Sequence, residues 1–290
     1  MTSARAIRTV HTVAALREQV RQWRAAGERV ALVPTMGALH AGHVALMDAA
    51  REKADRVVVS IFVNPTQFAP TEDLSRYPRT LEADLGKAES ASVELAFVPD
   101  VAQMYPEGFC TTISLAGPAL GLETDFRPTH FAGVATIVTK LLMQALPDVA
   151  LFGEKDYQQL QVIARMARDL DLPVDVVGFP TVREADGLAL SSRNVFLSAA
   201  DRAAAPALHR ALTAAALRIG REATTTDAMV EARAAIIAAG FELDYAEARH
   251  AETLAPIASS MEGPVRLLVA ARIGVTRLID NVPVEQGAGR

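Results

Sequence analysis

Two histidines, His40 and His43, stand three residues apart at the end of the segment Pro34–His43, which reads PTMGALHAGH. An imidazole donates hydrogen bonds and exchanges protons near neutral pH, and residues three apart on a helix are neighbours. We therefore predict that both rings share a face on the first turn of a helix. The N–H groups and the positive dipole end of such a turn attract anions, and Gly37 lets the backbone approach a ligand closely. The pattern indicates a phosphate site with two imidazole donors.

The flanking sequence predicts the elements that hold this turn. Apolar residues at 30–33 predict a buried strand, and a helical pattern follows at 42–53. The continuously apolar run Arg56–Val63 predicts a second strand that is covered on both faces. Such a strand–helix–strand unit is right-handed and binds ligands beyond the carboxyl ends of its strands. The form H-x-G-H in this place resembles nucleotidyl-transferring Rossmann proteins, class I aminoacyl-tRNA synthetases among them. The alternative is a glycine-containing turn with two surface histidines.

The order of further elements predicts the fold class. Helical patterns occur at 13–26, 80–90, 131–145 and 157–170, and strand patterns at 93–98, 148–152 and 173–179. Strands that alternate with helices predict an α/β fold, a Rossmann-like doubly wound parallel sheet. After about residue 183, Ala-rich helices at 200–219 and 226–239 precede strand-like runs at 243–249, 265–271 and 276–282. We therefore predict a smaller C-terminal α+β domain and place the two domains at 1–183 and 184–290.

Composition limits the classes of function. Half of the 290 residues are apolar, which allows a sizeable core, and the net charge of −5 argues against a general nucleic-acid surface. An anionic ligand must then be held by a local basic pocket. The lone cysteine, Cys110, excludes an internal disulfide and a cysteine metal cluster, and we expect it to serve packing. No apolar run is long enough for a membrane span, and Arg5 and Arg8 precede no apolar segment of the secretory kind, so we expect a cytoplasmic protein.

Gln67 is a candidate for binding a small polar ligand. It lies in Asn64–Phe68, directly after the second predicted strand. A carboxamide both donates and accepts hydrogen bonds, so it suits a ligand that carries a hydroxyl and a carboxylate. An ordinary loop residue is the alternative. The polar stretch 69–80 that follows is either a lid that excludes water or a plain surface loop.

Lys155 is a candidate for contact with phosphate oxygens. The segment Gly153–Leu160 again joins a strand, a glycine, a polar cluster and a helix. Lys155 carries a mobile positive charge, and Gln159 lies one turn later and could face the same cleft. The alternative is a charged helix cap made by Glu154 and Asp156.

A third polar cluster, Ser191-Ser192-Arg193, stands within Arg183–Asn194. Two hydroxyls and a guanidinium form a compact grip for an anion, because arginine pairs with phosphate oxygens through two N–H groups. A serine-rich connector between domains is the alternative. Among the other histidines, His130 is expected to be a satisfied residue beside a Thr129 helix cap, and the alternative is a polar residue that lines a pocket. His11, His209 and His250 are expected at the surface.

Taken together and in this order, these segments resemble the pantothenate synthetase (pantoate–β-alanine ligase) family. The matching segments are Pro34–His43, Asn64–Phe68, Tyr77–Thr80, Pro128–Gly133, Gly153–Leu160, Thr181–Asn194 and Ala271–Asn281. The resemblance implies a Rossmann domain, a smaller C-terminal domain that closes over ATP, and a homodimer. It also implies that pantoate carboxylate attacks the α-phosphorus of ATP, which gives pantoyl adenylate and pyrophosphate. The amine of β-alanine then attacks the acyl carbon, which releases AMP and pantothenate.

The resemblance also implies roles for individual residues. ATP would be bound by Met36, Gly37, Ala38, Leu39, His40, Ala41, Gly42, His43, Gly153, Glu154, Lys155, Asp156, Val182, Leu190, Ser191, Ser192 and Arg193. The catalytic residues would be His43, His40, Lys155 and Arg193. Pantoate and β-alanine would be bound by Gln67 and Gln159. Mg²⁺ would be held mainly by phosphates and water, with Asp84 a possible outer contact.

Two positions depart from the family pattern. Ala41 stands where the family often has an acidic residue, and Leu190 stands where methionine is usual. Neither position supplies a charge that the chemistry requires. A plain nucleotidylyltransferase shares the H-x-G-H turn but does not account for the paired glutamines or the second domain. A nucleotide-sensing module is the non-enzymatic alternative.

Overall fold

The computed structural model describes residues 7–69, 73–221 and 224–285. The chain forms two compact units, each built from several segments. The first unit comprises Met1–Leu115, Arg127–Glu154 and Val162–Pro180, and the second comprises Ala116–Phe126, Lys155–Gln161 and Thr181–Arg290. Two segments that precede residue 183 therefore belong to the second unit. Residues 70–72 of the proposed lid and the tail 286–290, which the sequence predicts to be frayed, lie outside the described residues.

The first unit contains a parallel sheet in the order β1-β4-β3-β2-β5-β6. Its strands are β1 Arg8–Val10, β2 Val30–Thr35, β3 Arg56–Ile61, β4 Leu95–Phe97, β5 Val149–Gly153 and β6 Asp175–Phe179. The helices that begin before β6 are α1 Val13–Ala25, α2 Ala41–Arg51, α3 Leu81–Ser90, α4 Val101–Met104, α5 Glu123–Phe126, α6 His130–Ala145 and α7 Tyr157–Asp169. Of these, α5 and the start of α7 belong to the second unit. The described residues confirm the predicted doubly wound α/β sheet.

The order of the strands locates the crevice of this sheet. From β2 the chain proceeds through β3 to β4 on one side, and β5 and β6 lie on the other side of β2. The order thus reverses between β2 and β5, and open α/β sheets bind ligands at such a reversal, beyond the carboxyl ends of the strands. Strand β3 is buried over nearly its whole length, as its continuous apolar run predicts.

The second unit contains an antiparallel sheet in the order β7-β8-β9, packed with helices rich in alanine. Its strands are β7 Glu242–His250, β8 Val265–Ile273 and β9 Thr276–Pro283, and its helices after residue 181 are α8 Ala199–Ala204, α9 Ala207–Ile219 and α10 Thr225–Ala238. This confirms the smaller α+β region. The single helix predicted at 200–219 is wrong, because Pro206 lacks an N–H and separates α8 from α9.

The structure corrects the predicted environments of Cys110, His209 and His250. Cys110 is exposed, and the residues after it form no strand, so its predicted packing role is wrong. His209 is half-buried rather than at the surface, since its ring packs against Gly187, and His250 is half-buried as well.

Among the described residues, no helix combines the length and the apolar character needed to traverse a bilayer.

Candidate active site

The histidine turn caps helix α2. His40 is the N-cap residue, with an extended backbone (φ −133°, ψ 177°), and the helix begins at Ala41. The N–H of Gly42 donates to Nδ1 of His40, and the N–H of His40 donates to Nδ1 of His43, both at 3.2 Å. His40 therefore precedes the first turn rather than lying on it. The two ring centroids are nevertheless 4.1 Å apart, so the structure brings the imidazoles together as predicted.

These two hydrogen bonds determine which ring nitrogens carry protons. Nδ1 accepts an N–H in both His40 and His43, so each neutral ring carries its hydrogen on Nε2. An imidazolium has a hydrogen on Nδ1 and cannot accept either bond. The capped turn thus favours two neutral rings with their hydrogen on Nε2, which agrees with the imidazole donors that the sequence predicts.

A buried carboxylate holds the loop that precedes this turn. Asp84 on α3 is 1% exposed, and its two oxygens accept the N–H groups of Ala38 (2.9 Å) and Leu39 (2.8 Å). The hydroxyl of Thr80 donates to the same carboxylate at 3.2 Å. The amides of residues 38 and 39 therefore bind Asp84 in this structure. Both oxygens of Asp84 are engaged within the protein, which makes it a support of the loop.

Gly37 is required by the same contact. Its φ is +83°, and a Cβ at this position would lie 3.1 Å from Oδ2 of Asp84. Any other residue would meet both the left-handed backbone and the carboxylate. The glycine therefore serves the approach of Asp84, a reason that the sequence did not reveal.

Gln67 has a fixed orientation after strand β3. The residue is 8% exposed, and its side-chain oxygen accepts from Nδ2 of Asn64 at 3.1 Å. Its Nε2 contacts Sδ of Met36 at 3.0 Å, which joins the two candidate segments within the first unit. The backbone carbonyl of Gln67 accepts from Nδ1 of His130 (2.9 Å) and from Arg127 (3.2 Å). Gln67 is therefore held in one orientation by a network of contacts, and its role in binding a ligand stays a prediction.

Helix α6 packs tightly on the turn that carries Gln67. A Cβ on Gly133 would lie 2.4 Å from the carbonyl oxygen of Thr66 and 2.8 Å from Cα of Gln67. The helix can approach this closely only because residue 133 has no side chain. At the start of α6, His130 is satisfied as expected, but Thr129 makes no side-chain cap, so that part of the prediction is wrong.

Of the remaining candidates of the first unit, Gly153 ends strand β5 and Glu154 begins the short turn that follows. Because β3, β2 and β5 are neighbours, the carboxyl ends that lead to Gln67, to the two histidines and to Gly153 lie side by side. The structure therefore places these candidates along one edge of the sheet, next to the reversal of strand order.

In the second unit, Lys155 and Gln159 lie on either side of Gln158, whose side chain holds other segments of the protein in place. Nζ of Lys155 lies 3.8 Å from a carboxylate oxygen of Asp156. The side chain of Gln158 is saturated, since it bonds the N–H of Glu123 and the carbonyls of Pro118 and Gly121. Gln159 is half-buried and makes no hydrogen bond among the described residues, so its carboxamide differs from that of Gln158 in being available for a ligand.

The segment after residue 181 folds back on itself. The N–H of Leu190 donates to the carbonyl of Val182 at 3.0 Å, so the two candidates adjoin each other. The hydroxyl of Ser191 accepts the N–H of Arg193 at 3.2 Å and caps the short turn Ser192–Phe196. Ser192 and Arg193 are half-buried on this turn. Ser191 thus shapes the loop that presents the guanidinium.

Comparison with known proteins identifies the family. The family model described as pantoate-beta-alanine ligase matches residues 8–283. A pantothenate synthetase from Bradyrhizobium sp. (strain BTAi1) is 58% identical over 282 residues, which is 97% of this chain and all of the relative. The chain belongs to the pantoate–β-alanine ligase family. It is therefore an enzyme that joins pantoate to β-alanine, as the resemblance of its segments implied.

Solved structures agree with this assignment. The pantothenate synthetase of Thermus thermophilus is 49% identical, with a TM-score of 0.90 and coverage of 96% of this chain and 99% of that one. The pantoate-beta-alanine ligase of Francisella tularensis, solved with beta-gamma ATP and beta-alanine, is 33% identical with a TM-score of 0.81 and covers 97% of this chain and 99% of that one. The ligase family thus accounts for the fold along nearly the whole chain.

Several polar residues around the ligase candidates were missed by sequence reasoning. They lie in hydrogen-bond networks beside the candidates and are Asn64, Arg127, Asp280 and Asn281. Asn64, Arg127 and Asn281 lie within or beside segments that resemble the family, which was the available signal. Sequence reasoning considered Asp84 only as an outer contact of Mg²⁺ and missed its support of the loop, because Ala38 and Leu39 are more than 40 residues away in the chain.

Proposed function

We propose that this protein makes pantothenate through an acyl adenylate. The carboxylate of pantoate attacks the α-phosphorus of ATP, and the bond to the bridging oxygen breaks to release pyrophosphate. The amine of β-alanine then attacks the acyl carbon of pantoyl adenylate, loses a proton, and expels AMP. The observation that carries this proposal is the pair of adjacent imidazoles, His40 and His43, at the start of the helix that follows the carboxyl end of β2.

The proposed roles follow from the charges of the reactants. A carboxylate and a triphosphate repel each other, so in-line attack needs donors and cations on the phosphates and fixed groups on the acid. His40, His43, Lys155 and Arg193 meet the first need. The two histidines act as neutral donors to oxygens that gain charge, and the lysine and arginine supply the positive charge. The protein has a formal charge of −5, so this compensation must be local.

Gln67 and Gln159 meet the second need by binding the acid. The carboxamide of Gln67 is held at both ends, by Asn64 and Met36, so it offers its remaining hydrogen-bonding capacity in a fixed direction. The half-buried carboxamide of Gln159 adds a second group. We assign pantoate to both residues and β-alanine to Gln67 as well.

The nucleotide and the metal complete the proposal. ATP is the co-substrate, as the nucleotide named with the Francisella relative suggests, and the 36–43, 153–156, 182 and 190–193 positions bind it. Among the described residues no cluster of three His, Cys, Asp or Glu side chains has the arrangement of a metal cage. We assign Mg²⁺ to the phosphates and water, where it would neutralise phosphate charge. The homodimer, the closing C-terminal domain and the cytoplasmic location stay predictions.

Mixing the protein with ATP, pantoate and β-alanine, and identifying the products by mass, tests the proposed reaction. The proposal expects pantothenate, AMP and pyrophosphate in equal amounts, with AMP release dependent on β-alanine. Without β-alanine, pantoate should still promote positional isotope exchange in ATP. A stable nucleotidylated product would favour the nucleotidylyltransferase alternative. ATP binding without pyrophosphate formation would favour the sensing module.

A further inference from the structure

The end of strand β9 carries two buried polar residues, Asp280 and Asn281, which are 5% and 2% exposed. Nδ2 of Asn281 donates to the backbone carbonyl of Lys155 at 2.9 Å. The backbone carbonyl of Asn281 accepts from a guanidinium nitrogen of Arg183 at 3.3 Å. Asn281 therefore contacts both segments of the second unit that carry candidate phosphate-binding residues.

Asp280 fixes the second of these segments. Its two oxygens accept from Nη1 and Nη2 of Arg183 at 2.7 and 2.8 Å, and this fork-to-fork pairing sets the direction as well as the distance of the guanidinium. The same Nη1 donates to the carbonyl of Gly187 at 3.0 Å. Arg183 follows Val182 directly, so the loop from 182 to 190 is tied to β9 through this one side chain.

A neighbouring arginine fixes the orientation of the Asn281 carboxamide. Nε of Arg266 donates to Oδ1 of Asn281 at 2.7 Å, and the guanidinium lies 4.0 Å from the centre of the Tyr157 ring. Because Oδ1 faces a donor, the amide nitrogen must face the carbonyl of Lys155. A flipped carboxamide would oppose a donor with a donor and a carbonyl with a carbonyl. The orientation is therefore unique.

We propose that Asn281, supported by Asp280, is a positioning residue of the ligase. It sets the spacing between Lys155 and the 182–193 segment so that both reach the phosphates of one ATP. The inference rests on the proposed function, which assigns Lys155 and Arg193 to those phosphates. Buried polar groups of this kind define a geometry more than they stabilise a fold, since apolar residues of similar size often stabilise as well.

A double-mutant cycle tests whether Asn281 acts through Lys155. The four proteins are the wild type, Asn281→Ala, Lys155→Ala and the double variant, each measured for kcat/KM for ATP in the pantoate-dependent half-reaction. Loss of the buried hydrogen bond should lower kcat/KM by roughly tenfold to a hundredfold in the wild-type background. In the Lys155→Ala background the same change should cost less than about threefold, because coupled residues are not additive.

Two further variants separate positioning from folding. Thr225→Ala removes another buried polar group of the second unit, whose hydroxyl donates to the carbonyls of Ile257 and Ala258. It should lower Tm without changing kcat/KM. Asn281→Asp keeps the acceptor for Arg266 and removes the donor to Lys155, so it should reproduce the kinetic loss if Asn281→Ala folds poorly.

The outcomes distinguish a failure of the proposed role of Lys155 from a failure of the proposed role of Asn281. If Lys155→Ala alone retains wild-type kcat/KM, the proposed role of Lys155 fails and the inference falls with it. If Lys155→Ala is impaired but Asn281→Ala costs the same factor in both backgrounds, only the inference is overturned. Wild-type kinetics in both Asn281 variants would also overturn it.

Discussion

The Nδ1 atoms of His40 and His43 accept backbone N–H groups, and this geometry favours neutral rings with the hydrogen on Nε2. The distinction matters because a neutral ring with its hydrogen on Nε2 can donate to a phosphate oxygen without first binding a proton. The positive end of helix α2 adds to the effect, since it favours anions and opposes an imidazolium at the same place. We therefore propose that the two rings donate hydrogen bonds to phosphate oxygens, while Lys155 and Arg193 are the proposed cations.

His43→Ala should lower pantoate-dependent positional isotope exchange in ATP by about 10²–10³, the value of one preorganised donor on developing charge. His11→Ala is the matched control, since this exposed ring bonds the carbonyl of Val98 outside the candidate site. It should exchange at the wild-type rate. Wild-type exchange in the His43 variant would remove that residue from the mechanism.

Asp84→Asn should weaken the loop that leads into the histidine turn. An asparagine offers one acceptor where the two amides of residues 38 and 39 need two, and its NH₂ would oppose an N–H. We expect kcat/KM for ATP to fall about tenfold to a hundredfold, with a lower Tm. Asp55→Asn, which alters an exposed carboxylate that accepts the N–H of Arg29, should change neither. Unchanged kinetics in Asp84→Asn would show that the loop keeps its form without the carboxylate.

Helix α6 packs tightly on the turn at 65–67, which carries Gln67 of the candidate site. Gly133→Ala should force them apart, because the new methyl would overlap the backbone of Thr66 and Gln67. We expect KM for pantoate to rise by about tenfold or more and Tm to fall. Gly86→Ala, in the interior of α3 with open space around it, should keep wild-type kinetics and Tm or gain slightly in Tm. Wild-type KM in Gly133→Ala would contradict the importance of this contact.

His209 on helix α9 packs against the loop at Gly187. Burial lowers the pKa of His209, and the nearby Arg183 lowers it further. Asp280 opposes this shift without reversing it. The unfolded chain then binds more protons than the folded chain as the pH falls below the ordinary histidine pKa. The free energy of unfolding should therefore be fully retained above about pH 6.5 and should decrease below it. Denaturant titrations across this range should show a shallower decrease in His209→Gln. An equal slope in both proteins would exclude His209 as the cause.

Sequence patterns predict a helix or a strand where the residues of that element alone carry the signal. The apolar run of β3 and the helix after β2 are visible because each pattern is contained within a few consecutive residues. The edge strand Arg8–Val10 is too short for periodicity to indicate it. The supports of the site could not be predicted, because Asp84 binds a loop 45 residues earlier and Asn281 binds Lys155 across 126 residues. Only the fold brings such pairs together.

Across the whole molecule, the chain matches its family over nearly its entire length and carries a net negative charge. Both substrates of the first half-reaction are anions. The proposed reaction therefore needs hydrogen-bond donors and cations at one place in a protein whose net charge is negative. The rings of His40 and His43 lie next to each other, and Asn281 links the segments that carry Lys155 and Arg193 within the second unit. These two groupings support the proposal that all four side chains serve one ATP.

A crystal structure of the protein with a non-hydrolysable ATP analogue tests that claim most directly. The account predicts that Nε2 of His40 and His43, Nζ of Lys155 and the guanidinium of Arg193 each lie within about 3.2 Å of phosphate oxygens of a single nucleotide. If these groups contact different molecules, or lie too far apart to reach one triphosphate, the account of the active site is contradicted.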